Sequence, residues 1–186
     1  MRLFLALLPD HRTKAKLYPL VGKFKDHALS GNFTSIDNLH LTIVFIGEVG
    51  DSERDKLIRV VDHVSFEPFV VKTRQIGFFA NQGANDTMVL HLELSKELEL
   101  LSQTVQNACT QEGFLFDRRP YRPHFTIGRR IRLSDSFKRQ PNSLAVPTIF
   151  MKCDRFSLME SLRIDGQLVY REIFGKTMSE PQNRNT

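Results

Sequence analysis

The chain has little of what marks several large protein classes. Its only cysteines, Cys109 and Cys153, are too few and too scattered for a disulfide framework or a zinc site, and a reducing cytoplasm is the expected compartment. No run approaches the ~20 apolar residues that a membrane helix needs, so no membrane association is expected. The short run Leu3 to Leu8 meets Pro9-Asp10 at once and lacks a small-residue cleavage site, which argues against a signal peptide. Tryptophan is absent, but with 15 phenylalanines, 41% hydrophobic and 25% charged residues no segment has the composition of a disordered domain. There is no P-loop and no nucleophile motif built on Ser or Cys. The length, 186 residues, suits one compact domain or two small lobes sharing an interface. Only Ser179 to Thr186 reads as a loose tail, which leaves 1–178 as the folded unit.

Positive charge is in modest excess. The 26 Lys and Arg against 21 Asp and Glu give +5, which suits an anionic partner such as RNA. Placement says more than the total: Arg118, Arg119, Arg122, Arg129, Arg130 and Arg132 crowd around one short motif, where an anion would have to sit.

That motif, His-x-Thr-apolar, occurs twice, as His40-Leu41-Thr42-Ile43 and His124-Phe125-Thr126-Ile127. With six histidines and eleven threonines in the chain, about 0.35 His-x-Thr triplets arise by chance, and two arise about one time in twenty. Matching apolar positions and matching strand context lower that chance further. In a strand, His40 and Thr42 point one way and Leu41 and Ile43 the other, and the same holds for His124 and Thr126 against Phe125 and Ile127. If the strands lie side by side, two His and two Thr converge on one anion-sized spot. An imidazole with an ordinary pKa near ~6.5 acts as base or acid at neutral pH without a metal. Threonine hydroxyls can donate to phosphate oxygens, and Arg129 could offer a charge-assisted fork. A substrate carrying its own strained cyclic ester needs only water as nucleophile.

The surrounding sequence reads as α+β with antiparallel sheets. Arg2 to Leu8 is an opening strand, and Pro9-Asp10 starts a helix expected to run to about Leu29, followed by a polar loop from Gly31 to Asn38. Leu39 to Ile46 is the first motif strand. Asp51-Ser52 opens a second helix with Leu57, Ile58, Val60, Val61 and Val64 on one side. Phe66 to Phe79 and Thr87 to Leu94 are strands joined by a loop from Ala80 to Asp86, and Ser95 caps a third helix to about Glu112. The second motif strand spans about Tyr121 to Gly128, with Pro120 and Pro123 placing that end at an edge or an opening. Two last strands, Ile149 to Leu162 and Gln167 to Phe174, flank the turn Asp165-Gly166. The order of three helices and about seven strands hints at two related halves packed face to face.

Asn38-Leu39-His40-Leu41-Thr42-Ile43-Val44-Phe45-Ile46-Gly47-Glu48-Val49 and Arg119-Pro120-Tyr121-Arg122-Pro123-His124-Phe125-Thr126-Ile127-Gly128-Arg129 resemble the two signatures of the RNA 2′,3′-cyclic phosphodiesterases, a branch of the two-histidine phosphoesterases also called 2′-5′ RNA ligases. Arg2-Leu3-Phe4-Leu5-Ala6 and the closing hairpin extend the resemblance over nearly the whole chain. It implies two pseudo-symmetric lobes, each an antiparallel sheet with helices on its outer face, enclosing a central cleft. It also implies hydrolysis of an RNA 2′,3′-cyclic phosphate end to a 2′-phosphomonoester, without metal or nucleotide cofactor. By position, His40 matches the proton donor, His124 the proton acceptor, and Thr42, Thr126 and Arg129 the phosphate contacts. Gly128 departs from the family, where an apolar residue is more usual, and is expected to matter little.

Other readings stand beside this one. The same site could join RNA halves reversibly through a 2′-5′ linkage, or act on small cyclic nucleotides such as ADP-ribose 1″,2″-cyclic phosphate. A module that binds RNA ends without turnover is the non-enzymatic alternative. A monomer is expected. His91, which shares a strand face with Glu93, reads as a half-exposed structural histidine outside the site, and Phe4 reads as core rather than as a platform for a base.

Overall fold

The computed structural model describes residues 1–79, 86–117, 119–134, 137 and 145–179. The opening apolar run forms β1 (Arg2–Leu7), buried from Leu3 onward. Asp10 then caps α1 (His11–Lys25), its carboxylate accepting from the Thr13 N–H at 2.8 Å, a contact worth ~1 kcal/mol. The helix stops at Lys25 rather than near Leu29, and the polar segment after it is not a loop but β2 (Ala28–Phe33). This strand escapes sequence reasoning because it is mostly exposed and polar and shows no alternation. It exists because a neighbouring strand offers it an open edge.

The first motif strand, β3 (Leu41–Glu48), is followed by α2 (Asp51–His63), where the Glu53 carboxylate accepts from the Gly50 N–H at 2.8 Å. Next come β4 (Phe69–Phe79), β5 (Asp86–Leu92) and α3 (Lys96–Gln111), the last capped by Ser95. The second motif strand is β6 (His124–Leu133). Pro123 sits just ahead of it and passes only its carbonyl to the Leu92 N–H, so the proline costs no ladder bond. The expected strand from Ile149 is split at Asp154 into β7 (Phe150–Cys153) and β8 (Arg155–Ile164), and β9 (Gln167–Thr177) returns through the Asp165-Gly166 turn. Most of the expected loop after Phe79, residues 80–85, lies outside the described residues, as do Arg118 and the tail 180–186.

Among the described residues, nine strands pair antiparallel in the order β7-β4-β5-β6-β3-β1-β8-β9, with β2 also on β6. The motif strands are therefore neighbours at the centre, each with its own lobe beyond it. The lobes interleave along the chain: β1, β3, β8 and β9 make one, and β4, β5, β6 and β7 the other. One face of this curled sheet is apolar and covered by the helices. Leu3, Leu5 and Leu7 of β1, Leu41 and Ile43 of β3, Leu90 of β5 and Phe125 and Ile127 of β6 share one core with Leu17 of α1, Leu57 of α2 and Leu98 of α3. Burying each such side chain contributes about 1.5–3 kcal/mol, which fixes the register of both motif strands and hence the direction of their polar residues. Phe4, Ala6 and Met159 form a separate small cluster on the other face. Among the described residues no helix is long and apolar enough to cross a membrane.

Candidate active site

β3 and β6 touch through one bridge, Leu41 opposite Phe125, both fully buried. Antiparallel register about that bridge sets His40 across from Thr126 and Thr42 across from His124. The four polar side chains thus stand on one face as a quadrilateral, histidines on one diagonal and threonines on the other. Diagonal neighbours in a sheet lie about 7–8 Å apart, room for a tetrahedral anion between two rings. Tyr121 ties the pair together: its buried hydroxyl donates to the Thr42 carbonyl at 3.0 Å, from the segment leading into β6 to the opposite strand.

Both rings are held in the same way. His40 Nδ1 lies 2.7 Å from the Asn38 carbonyl and His124 Nδ1 lies 2.7 Å from the Arg122 carbonyl, in each case two residues back. A carbonyl only accepts, so each Nδ1 carries the proton, and each Nε2 is left for chemistry. Among the described residues neither Nε2 has a hydrogen-bond partner, nor does either threonine hydroxyl, and all four side chains are partly exposed.

Burial pushes the His40 ring down to about 4, against the opposing pull of the Asn38 carbonyl; the charges of Arg129, His124 and Lys14 push the same way as burial. His124 is also lowered, first by burial and then by His91 and Arg129, with the Arg122 carbonyl opposing. His40 feels the His124 ring, and both feel Arg129. Arg129 is five residues from His124, and simple alternation would send it to the opposite face; a β-bulge brings it back. Val89 of β5 pairs with Thr126 but Met88 pairs with Gly128, so Ile127 and Gly128 are both buried and the next residue turns to the cleft side. Arg129 is exposed, and among the described residues no carboxylate neutralises it.

Gly128 has a steric reason. A Cβ there would lie 2.7 Å from Ile131 Cδ1 of the same strand and 3.2 Å from the Asn32 carbonyl of β2, which pairs with β6 at this residue. The remaining arginines divide. Arg119 is paired with Asp117, whereas Arg122, Arg130 and Arg132 are exposed.

Sequence reasoning misses the walls. Phe4 and Tyr170 box His40 at centroid distances of 4.8 Å each, and Phe4, 3% exposed, is core and not a free platform. Asn38 is the linchpin of this wall. Its side-chain amide donates to the Leu168 carbonyl and accepts from the Tyr170 N–H, docking on β9, while its own carbonyl fixes the His40 ring. Only its place two residues before His40 hints at this. On the other side Phe79 and His91 stand 4.9 and 6.5 Å from His124. No group of three His, Cys, Asp or Glu among the described residues is arranged to hold a metal.

Residues 14–165 match the family model described as the 2′-5′ RNA ligase superfamily. A Thermotoga maritima protein named RNA 2′,3′-cyclic phosphodiesterase is 24% identical over 179 residues, covering 94% of this chain and 94% of its own length. One of the same name from Bacillus subtilis is 31% identical over 143 residues, 73% of this chain and 74% of its own. The crystal structure of E. coli LigT in apo form aligns with a TM-score of 0.75 at 21% identity, covering 96% of this chain and 98% of that one, a likeness of fold. With the family match spanning both motif strands, the chain belongs to the 2′-5′ RNA ligase superfamily.

Proposed function

We propose that this protein hydrolyses the 2′,3′-cyclic phosphate at an RNA end to a 2′-phosphomonoester, with His40 as general acid and His124 as general base. The observation that carries the proposal is the diagonal pair of imidazoles, each with Nδ1 tied to a carbonyl and Nε2 free, on one face of two adjacent strands. The relatives named RNA 2′,3′-cyclic phosphodiesterase support the substrate.

In this mechanism a water oxygen attacks phosphorus while His124 Nε2 takes its proton. The bond from phosphorus to O3′ breaks, and His40 Nε2–H gives its proton to that oxygen, leaving a 3′-hydroxyl and a 2′-phosphate. The two rings end with their protons exchanged and reset through solvent. Thr42, Thr126 and Arg129 donate to the non-bridging oxygens, whose negative charge grows in the transition state. The low pKa of His40 suits an acid: once protonated it is a stronger donor than an ordinary imidazolium. The phosphate anion bound beside it favours that protonated form and offsets the charge of Arg129. Neither metal nor nucleotide cofactor enters the scheme, and the protein acts as a cytoplasmic monomer, with 1–178 as one bilobal domain.

Incubation with an RNA ending in a 2′,3′-cyclic phosphate tests this reading. The expected product is a 2′-phosphate, formed equally well in EDTA. A 3′-phosphate would reverse the leaving oxygen, and tight binding without turnover would make the protein a module for RNA ends.

A further inference from the structure

Beyond the motif residues, the His124 side of the cleft carries a group of cations that have no carboxylate partner among the described residues. His91 of β5 stands directly across from His124 in the ladder, and Phe79 meets both rings edge-on, at 4.9 Å from His124 and 5.9 Å from His91. Its neighbours Leu90 and Leu92 belong to the core, so alternation sends His91 to the cleft face. The next strand outward makes room for it. A Cβ at Gly77 of β4 would overlap His91 Nε2, so the ring rests on bare backbone, and a glycine inside a strand often marks such a close approach.

β4 is also bulged at this level. Thr73 pairs with Leu92 and Ile76 with Leu90, so Arg74 and Gln75 together oppose His91. Val71 and Ile76 pack into or against the core, which leaves Arg74 on the cleft side. Arg122 approaches His91 from the segment before β6. Burial, then the charges of Arg122 and Arg74, lower the His91 pKa, so the ring is a neutral imidazole in the field of two guanidiniums. Among the described residues neither guanidinium has a carboxylate partner, although Lys72 nearby is paired with Glu93 at 3.0 Å. The opposite wall, built of Phe4, Ala6, Met159 and Tyr170, is apolar; beside it Arg155 is paired with Glu172 and Arg171 with Glu160, while Arg2 lies over the Phe45 ring.

We propose that Arg74, His91 and Arg122 form a second anion subsite that takes the phosphodiester on the 5′ side of the terminal nucleotide, so that the protein selects RNA chains over mononucleoside cyclic phosphates. This rests on the reading of the central site as an RNA cyclic phosphate hydrolase. Two guanidinium forks with no carboxylate partner among the described residues match the non-bridging oxygens of a phosphodiester, and the neutral ring beside them can donate to its ester oxygens. The row of Arg74, His91 and His124 crosses three adjacent strands, so an RNA strand anchored there enters the catalytic quadrilateral from the His124 side.

The test compares kcat/KM for a dinucleotide ending in a 2′,3′-cyclic phosphate with that for the corresponding mononucleoside 2′,3′-cyclic phosphate. The unmutated chain is expected to favour the dinucleotide by about tenfold or more, and Arg74→Ala to cut that ratio severalfold while Arg74→Lys restores part of it. The ratio should also fall as salt rises. Equal kcat/KM on both substrates, or a ratio unchanged in Arg74→Ala and Arg122→Ala, overturns the subsite and leaves the functional reading standing. Absence of turnover on both substrates by the unmutated chain overturns that reading, and this inference with it.

Discussion

In both β3 and β6 a fully buried residue, Leu41 or Phe125, is flanked by a histidine and a threonine that face the cleft. Both strands then bulge over two buried residues, Ile43-Val44 or Ile127-Gly128, and turn the next side chain outward. In β3 that residue is Phe45, 46% exposed with the Arg2 guanidinium 5.1 Å from its ring; in β6 it is Arg129. The walls diverge in the same sense: Phe4 and Tyr170 beside His40, His91 with Arg74 and Arg122 beside His124. Duplicated backbone thus presents two equivalent imidazoles, while unlike side chains set an aromatic wall beside one and a histidine with two arginines beside the other.

If the two halves are alike in their proton-transfer groups and unlike in their walls, both histidines are indispensable. His40→Ala and His124→Ala are each expected to lower kcat by about 10³-fold or more with the fold intact by circular dichroism, since each removes one end of a proton transfer worth about 10²–10⁴. Activity surviving in either variant would show that one imidazole suffices. Arg129→Ala, which makes the bulge residue of β6 as uncharged as Phe45, is expected to cost about 10- to 100-fold in kcat/KM, the value of a charge-assisted contact on phosphate.

Smaller effects separate the two halves through pH and packing. Because both rings titrate below the ordinary histidine range in the free protein, the bell-shaped kcat/KM profile should peak on the acid side of about 6.5. The same shift has a stability consequence. An unfolded chain returns His40 to its ordinary value and so binds the proton that the folded chain refuses. Stability is therefore lost as pH falls from about 6.5 toward 4, by about 3 kcal/mol at most from this ring, and His40→Gln should flatten that slope in chemical denaturation. Gly128→Ala, which makes the β6 bulge resemble that of β3 with its Val44, is expected to cost about 1–3 kcal/mol, since the methyl group would meet the Ile131 side chain at 2.7 Å and the Asn32 carbonyl of β2 at 3.2 Å. A neutral outcome would mean that the Ile131 side chain moves aside easily and the Asn32 carbonyl gives way.

Much of this site is legible in the sequence because its determinants are local and repeated. Alternation about Leu41 and Phe125 assigns faces to His40, Thr42, His124 and Thr126, and core burial enforces that assignment. What is not legible depends on neighbours distant in sequence. β2 forms because β6 has a free edge, which no pattern within residues 28–33 signals. The side of the sheet taken by Arg129 depends on a bulge, and alternation alone puts it on the wrong face. Asn38, Tyr121 and Tyr170 act across β9 and β3, and His91 takes its meaning from Arg74 and Gly77 on another strand.

Histidine NMR with and without a 2′-phosphorylated RNA end interrogates the shared site itself. With both rings facing one anion, the pKa values of His40 and His124 should rise together on binding, and replacing either ring with alanine should shift the other. Two rings that titrate independently, with only one responding to the ligand, would contradict a shared site.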